Sequence, residues 1–490
     1  MSGTITINST DLANAIKPQL LQMPEITQQP YSYIIWTDGT NYYAKNGKTG
    51  QIDYSGSDAS TVIQSVLDAV STQKRSVIYI AEGIYKMSKG VKIKSNVYIK
   101  GSLAGEYLLN DTQGISTNGT ILYAYGTAPD EKILYVDTVN FNYTAISKVR
   151  IENILVYGDN NPGGTTQDLR GIGFWCDGYE ANKMFGIVEL INFFTTKTAG
   201  GILLRYVTQI RLDKVILHDA NPGIDASKLS TNPENYYAIA YLRNLIEDNY
   251  IGQLQVGGLY TGNSNNIGVR ILGMSRSVIH KISAYNIPKG IGIYADVVNT
   301  TNIGILEAND HSTQATVGRS IIASFGHGTT IDQILMYNQD ANASYIRTLD
   351  NAIVPVRLIY IEDDLGNRYG INIDKYVKVG TLILKGIENV GHPWWSSWQT
   401  PDIVQDLTSG TISGIKKTGT ATFSGDGTTT QFKIAHGLVS KPAKILITPG
   451  SSDAKGTFYV TADNTYIYVN YASAPPSGTN NIVLYWYAET

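Results

Sequence analysis

Splitting a glycosidic bond takes two carboxyl groups, one protonated to donate to the leaving oxygen and one ionised to act as base or nucleophile. In this 490-residue chain the candidates are Glu307 and Glu362. They fall two units apart in a repeating pattern, about 10 Å along a stack with ordinary interstrand spacing, which is wide for a shared bond. Asp219, Asp310 and Asp363 occupy turn slots, where Asp serves backbone geometry. Glu362-Asp363-Asp364 lines up oxygen ligands, yet an acidic turn without metal accounts for it. With no Gly-rich phosphate loop, zinc spacing or Ser/His/Asp signature, the sequence assigns no catalytic residue, metal or cofactor. Stacking chemistry is better represented. Tyr157, His218, Tyr285, Asn309 and Tyr337 share one outward column with Phe193, Gly257, Glu362 and Lys385, and Trp394, Trp395 and Trp398 crowd into one short segment. Flat rings offer faces to sugar rings and polar tips pair with hydroxyls, so these residues form the candidate glycan-binding set. The Trp group also fits a packed cap or a subunit contact.

The column exists because of a repeat. Nine copies of a pattern that reads apolar-x-x-apolar-x and then usually apolar, usually followed two residues later by Gly, Asp or Asn, start at Ile151, Ile187, Leu212, Ile251, Ile279, Ile303, Ile331, Val356 and Val379. The spacing of roughly 25 residues, with insertions, is that of a solenoid. Alternation at the fourth and sixth positions has period two, so each unit is a strand. A second strand recurs at Ile172, Ile202, Ile239, Ile267, Ile291, Ile321 and Ile371. With no helical period between them, the economical solution is a parallel β-helix of about eleven coils, a rod on the order of 50 Å long. The fourth and sixth positions point inward; the fifth and seventh point out. The fifth-position column contains Leu155, Ile191, Ile216, Leu335 and Ile383, whose apolar faces ask for a cover, and a closed homotrimer supplies one.

Open solenoid ends need a cap. Asp58 or Ser60 starts a helix whose Val62, Ile63, Val66, Leu67 and Val70 form one apolar stripe. The next strands read Val77-Ile-Tyr-Ile80 and Gly83-Ile-Tyr85. This opening resembles the pectate-lyase-like superfamily: an Asp-led helix of the type Asp58…Ile63-Gln64…Asp68-Ala69, then a strand ending in Gly-x-Tyr. The resemblance covers about residues 58 to 389. It implies a right-handed parallel β-helix and leaves the activity open among lyases, hydrolases, epimerases and silent adhesins. The superfamily's lyase motifs find no residue-by-residue match here, so none is carried over.

The ends differ from the body. Residues 1–30 hold a short helical pattern with Leu12, Ile16, Leu20 and Leu21 that cannot bury itself, a candidate docking or oligomerisation peg. Residues 31–390 are the β-helix, 391–417 a Trp-rich linker, and 418–490 short alternating strands between Gly, Asp and Pro turns, a β-sandwich. The expected class is therefore all-β. Thr422 through Gly427, His436-Gly437-Leu438 and the Tyr-rich end look like a C-terminal head of viral tail fibres, and peg, shaft and head together resemble viral tailspikes.

A net charge of -3 and 16% charged residues, with no basic block, argue against nucleic acid. No run of 18 apolar residues spans a membrane, and the start lacks a signal-peptide pattern. Yet the Tyr-, Asn- and Thr-rich composition fits an extracellular surface, and Asn8, Asn110, Asn118, Asn142, Asn299 and Asn342 head sequons. A protein that works outside cells without an export signal can leave on a virion. The tailspike resemblance thus implies attachment of a virion, through a tail or capsid protein bound at the N-terminus, to a host glycan or glycoprotein. Low charge, one Cys and many Tyr point to a virus of thermoacidophilic archaea. The alternatives are a polysaccharide hydrolase or lyase of the same fold and a cellular adhesin.

Overall fold

The computed structural model describes residues 31–71, 74–102, 119–128, 131–136, 138, 147–159, 168–181, 184–220, 224–225, 237–245, 248–258, 266–285, 287, 290–309, 319–337, 344–362, 371–373, 376–385, 403–406, 411–414, 416–438 and 440–489. A 26-stranded sheet winds through the first part of the chain. Its strands stack in parallel on three faces. On the first face one inward row runs Tyr33, Ile78, Ile99, Ile151, Leu190, Leu212, Ile251, Ile279, Ile303, Ile331, Val356, Val379. The second face continues it with Ile154, Phe193, Val215, Leu254, Ile282, Leu306, Ile334, Ile359 and Leu382. On the third, Cys176, Leu204, Leu242, Ile271, Ala295, Ala323, Ile346 and Ile373 stack. All belong to one continuous buried core. The fold is thus an all-β parallel β-helix, in which the strands of an interior coil pair with the coils on either side. The ladder extends to Ile403–Asp406, which pairs in parallel with Val377–Lys385.

From Lys148–Tyr157 onward the first and second faces are built from single bent strands. The bend falls at the third repeat position, where Asn153, Asn192 and Lys214 all have positive φ. Asn tolerates that left-handed corner, and the side chains of two successive corners meet: Asn192 Nδ2 donates to Asn153 Oδ1 at 3.0 Å. This corner corrects one register. The copy expected to start at Ile187 starts at Leu190, which pairs with Ile151. Phe193 therefore lies in the core instead of the outward column, where Thr196 stands beside Tyr157 and His218. Ile191 likewise leaves the fifth-position column and is replaced by Phe194. The markers of the second strand also mix two registers. Ile202 and Ile321 belong to the core, whereas Ile172, Ile267 and Ile291 join a separate outer apolar cluster with Trp175, Leu203 and Tyr241.

The N-terminal end is closed by the helix Ala59–Ala69. Asp58 caps it, accepting from Thr61 N at 3.0 Å and also from Ser88 N at 3.2 Å, which ties the cap to the strand region beyond. Val62, Ile63, Val66 and Leu67 bury against the first coil. Gln64 then behaves as a substitute strand: its Oε1 accepts from Lys92 N at 2.7 Å and its Nε2 donates to Lys92 O at 3.3 Å. The edge of Val91–Ile93, paired on its other side with Lys132–Val136, is thereby satisfied. Tyr85 of the Gly-x-Tyr strand is wholly buried, its hydroxyl donating to Ala81 O at 3.0 Å.

At the C-terminus, Lys416–Gly425, Gly478–Glu489 and Lys444–Pro449 form one antiparallel sheet, and Gln431–Ala435, Tyr466–Tyr471 and Phe458–Ala462 another. Phe432, Ile434, Ile467, Val469, Ile482 and Leu484 pack between them, making a β-sandwich. No helix among the described residues is long and apolar enough to cross a membrane.

Candidate functional site

The outer side of the second face carries the candidate strip. Inward Leu254, Ile282, Leu306, Ile334 and Ile359 anchor each strand, and strict alternation then turns Gln255, Ser283, Glu307, Leu335 and Tyr360 outward in one column. Two residues on, Gly257, Tyr285, Asn309, Tyr337, Glu362 and Lys385 form the parallel column. Neighbours in a column are about 4.8 Å apart.

His218 and Tyr285 meet at one end of the strip. The Tyr285 hydroxyl bonds His218 Nε2 and accepts from Gln255 Nε2 at 2.7 Å. The rings lie edge to face, 5.3 Å apart. Gly257 permits this: a Cβ there would stand 2.7 Å from the Tyr285 ring. Farther along, the Tyr337 and Tyr360 rings are 5.6 Å apart. Burial raises the Tyr337 hydroxyl above its ordinary range, and Glu307 and Glu362 add to the effect. Asn309 Oδ1 is shielded and finds no donor among the described residues.

Both glutamates are engaged. Glu307 pairs with Lys281 at 2.6 Å. Glu362 bonds Lys385 and accepts from the Tyr360 hydroxyl at 2.6 Å, which together hold its carboxyl below the usual range. A carboxyl held ionised does not serve as a proton donor near neutrality. Among the described residues no group of three or more His, Cys, Asp or Glu is placed to hold a metal.

Tyr157 stands apart from the strip. It is 8% exposed and packs edge to face on Tyr123 in an apolar cluster with Ile121, Leu155, Phe194 and Ile216. That cluster also changes the reading of the fifth-position column. Leu155 and Ile216 were expected to need a second subunit, but they are already shielded within one chain, because their own column continues as Ile121 and Phe194 and the Tyr123 and Tyr157 rings pack beside it. Leu335 and Ile383 are half-buried. Trp394, Trp395 and Trp398, the turn residues Asp310, Asp363 and Asp364, and the sequons at Asn8, Asn110, Asn118, Asn142 and Asn342 lie outside the described residues. Asn299 is half-buried in a strand, its carbonyl accepting from Thr301 Oγ1 at 2.8 Å.

Two arrangements escaped the sequence reading. On the outer first face Glu152 accepts from Tyr98 and from Arg150, at 2.6 Å for the latter, while Lys148 reaches Glu189 at 2.9 Å. Tyr98 is pushed up to about 12 by burial and by Glu152. On the third face Asp177 and Arg205 form a fully buried pair, Nε to Oδ1 2.8 Å, with Tyr179 stacked on the guanidinium. The available signal was charge alternation across neighbouring repeats, Arg150 beside Glu189 beside Arg211, which only the corrected register aligns.

No protein-family model matches the chain, and no curated protein matches it. Among the solved structures that the chain matches are two phage tailspikes. The tailspike gp61 of Pseudomonas phage phi297 matches at 8% identity and a TM-score of 0.32, over 88% of this chain and 91% of that one. The Gp54 tailspike of Acinetobacter baumannii bacteriophage AP22, solved with A. baumannii capsular saccharide, matches at 10% identity and a TM-score of 0.29, over 88% and 93%. Likeness at this level does not carry a function from those proteins to this chain.

Proposed function

We propose that the chain is a viral receptor-binding spike that attaches a virion to host surface glycans through the outer strip of the second face. One observation carries the reading: His218, Tyr285, Asn309, Tyr337 and Tyr360 present rings and polar tips on closely spaced coils of a rigid ladder. A linear saccharide repeats along its length as the ladder does, so stacking and hydroxyl contacts recur in step. The neutral-to-acidic chain, with a net charge of -3 and no basic block, does not suit nucleic acid. In this reading residues 1–30 dock on a tail or capsid protein, 31–390 form the shaft, the segment 391–417 adds the strands Ile403–Asp406 and Thr411–Gly414 to its end and leads to the head, and 418–490 form the head. The Trp group in the linker adds stacking surface, and an archaeal thermoacidophile host accounts for the composition.

The spike is proposed to be a homotrimer, with the head as the better-supported contact. Inward-facing Ile445, Ile447, Phe458, Val460 and Trp486 are only half-buried in the single sandwich, and Leu446 and Tyr485 are 61% and 51% exposed. Neighbouring copies seated on the outer face of their sheet would bury Leu446 and Tyr485, and copies closing the open edges of the sandwich would complete its core, at roughly 1.5–3 kcal/mol for each fully covered large side chain. Sedimentation of the full chain tests this: three copies per particle are expected, and dissociation is expected for Leu446→Lys with Tyr485→Lys. A monomeric wild-type chain contradicts the assembly. The glycan assignment is tested by retention of the full chain on immobilised envelope and capsular polysaccharides, and retention by none of them contradicts it.

A further inference from the structure

A second open recess lies around the corner from the tyrosine strip, on the outer first face. It has a volume of about 910 Å³ and crosses the strands Asn266–Tyr285, Ile291–Asn309, Thr330–Tyr337, Val354–Glu362 and Val377–Lys385. Four interstrand steps make it about 19 Å long. It exists because several outward residues here are short. The column that carries Arg150, Glu189, Arg211 and Tyr250 in earlier coils carries Val278, Asn302 and Thr330 in these. In the adjacent column Gly304 and Gly380 leave the floor as bare backbone. A Cβ on Gly304 would stand 2.5 Å from the His280 carbonyl oxygen, so that position stays without a side chain.

The lining has two kinds of surface. Val278, Ile305 and Pro355 offer aliphatic faces, and Asn302, Thr330 and His280 offer hydrogen bonds, with Thr330 Oγ1 donating to Asn302 Oδ1 at 2.9 Å. The charged lining residues are Asp332, Arg357 and Lys378, beside His280. Asp332 and Arg357 pair with each other. Lys378 has no ion-pair partner among the described residues, so one positive charge at the recess is uncompensated although the chain as a whole carries -3. A volume of this size suits a bound oligosaccharide. The C–H face of a pyranose fits the aliphatic walls, and a ring carboxylate fits Lys378.

We propose that this recess is a separate subsite for an acidic oligosaccharide, one whose sugar rings carry carboxylates. The assignment rests on the glycan-binding reading but uses different residues from the strip, so the two fail separately. The probe is a short oligoglucuronate, with an oligoglucose of equal length as control, titrated into the full chain by calorimetry. Oligoglucuronate binds more tightly than oligoglucose, and added salt weakens it. Lys378→Gln lowers its affinity roughly tenfold. Asp332→Asn, which frees Arg357, raises it. The titrations are run in the Tyr285→Ala, Tyr337→Ala background, which removes the strip's own contribution; there oligoglucuronate still binds, and adding Thr330→Trp fills the recess and abolishes that binding. All these positions are outside the core, and unchanged melting temperatures verify folding. The proposal is overturned if oligoglucose binds as well as oligoglucuronate, if neither binds, if inorganic polyphosphate binds as well as oligoglucuronate, or if adding Thr330→Trp to the tyrosine variant leaves binding unchanged.

Discussion

Ile282 sits at the centre of an inward row, between Leu254 and Leu306, with no exposed surface. Aspartate there would be an unpaired charge between coils, a loss of several kcal/mol. Ser283, next along, is no neutral control: although it faces outward, Gln255 and Glu307 on the adjoining coils leave it 5% exposed. Val278, 42% exposed on the same strand, is the appropriate one. Ile282→Asp should abolish cooperative unfolding or lower its midpoint steeply, and Val278→Asp should change it little; equal midpoints would contradict the register. Gly257 gives a second residue-scale test. Its alanine variant pushes a methyl into the Tyr285 ring and separates that hydroxyl from His218 and Gln255. A loss of about 1–3 kcal/mol by denaturant titration is expected, with most of it disappearing when Tyr285→Ala is added. An additive double variant would show that the ring contact is not what Gly257 protects.

At the scale of elements, legibility followed how local the physics was. The helix Ala59–Ala69 was readable because capping by Asp58 and the stripe from Val62 to Leu67 are properties of a dozen neighbouring residues. The role of Gln64 was not, since it depends on an edge strand 28 residues away. Phe185 to Phe194 contains apolar residues at enough positions to fit two registers three residues apart. What separates them is the left-handed corner at Asn192, matched to Asn153 one coil away, a tertiary fact. The apolar cover over Leu155 and Ile216 was invisible for a similar reason: periodicity says which way a side chain points and nothing about what lies over it. The head carries its own test of local geometry. Asp463 accepts from the Tyr468 hydroxyl at 2.6 Å and from Thr465 N and Tyr466 N at 2.7 Å, which lowers its pKa to about 2. A depressed carboxylate contributes stability that is complete above its unfolded value of about 4 and is lost as pH falls through the folded one. The head's melting midpoint should therefore drop in that acid window, and Asp463→Asn should flatten the drop. Identical pH slopes in the two proteins would show that the turn carries no such stability.

For the whole molecule, the solenoid was the most legible feature, because a core stacked from identical slots forces the same residue types to recur. The strip is legible only in part. Tyr285, Asn309 and Tyr337 follow from the repeat, whereas the His218–Gln255–Tyr285 cluster needs Gly257 to bring residues of different coils together. A rigid ladder with a ringed, half-exposed strip has its binding geometry in place before any ligand arrives, so little ordering cost is expected on binding. The central claim is that this strip holds a host polysaccharide. It is tested most directly by equilibrium binding of the full chain to a retained envelope or capsular polysaccharide, comparing wild type with Tyr285→Ala combined with Tyr337→Ala. The account predicts an affinity loss of tenfold or more, about 1.4 kcal/mol at the least, with little change in melting temperature. Unchanged affinity in a folded double variant would contradict it.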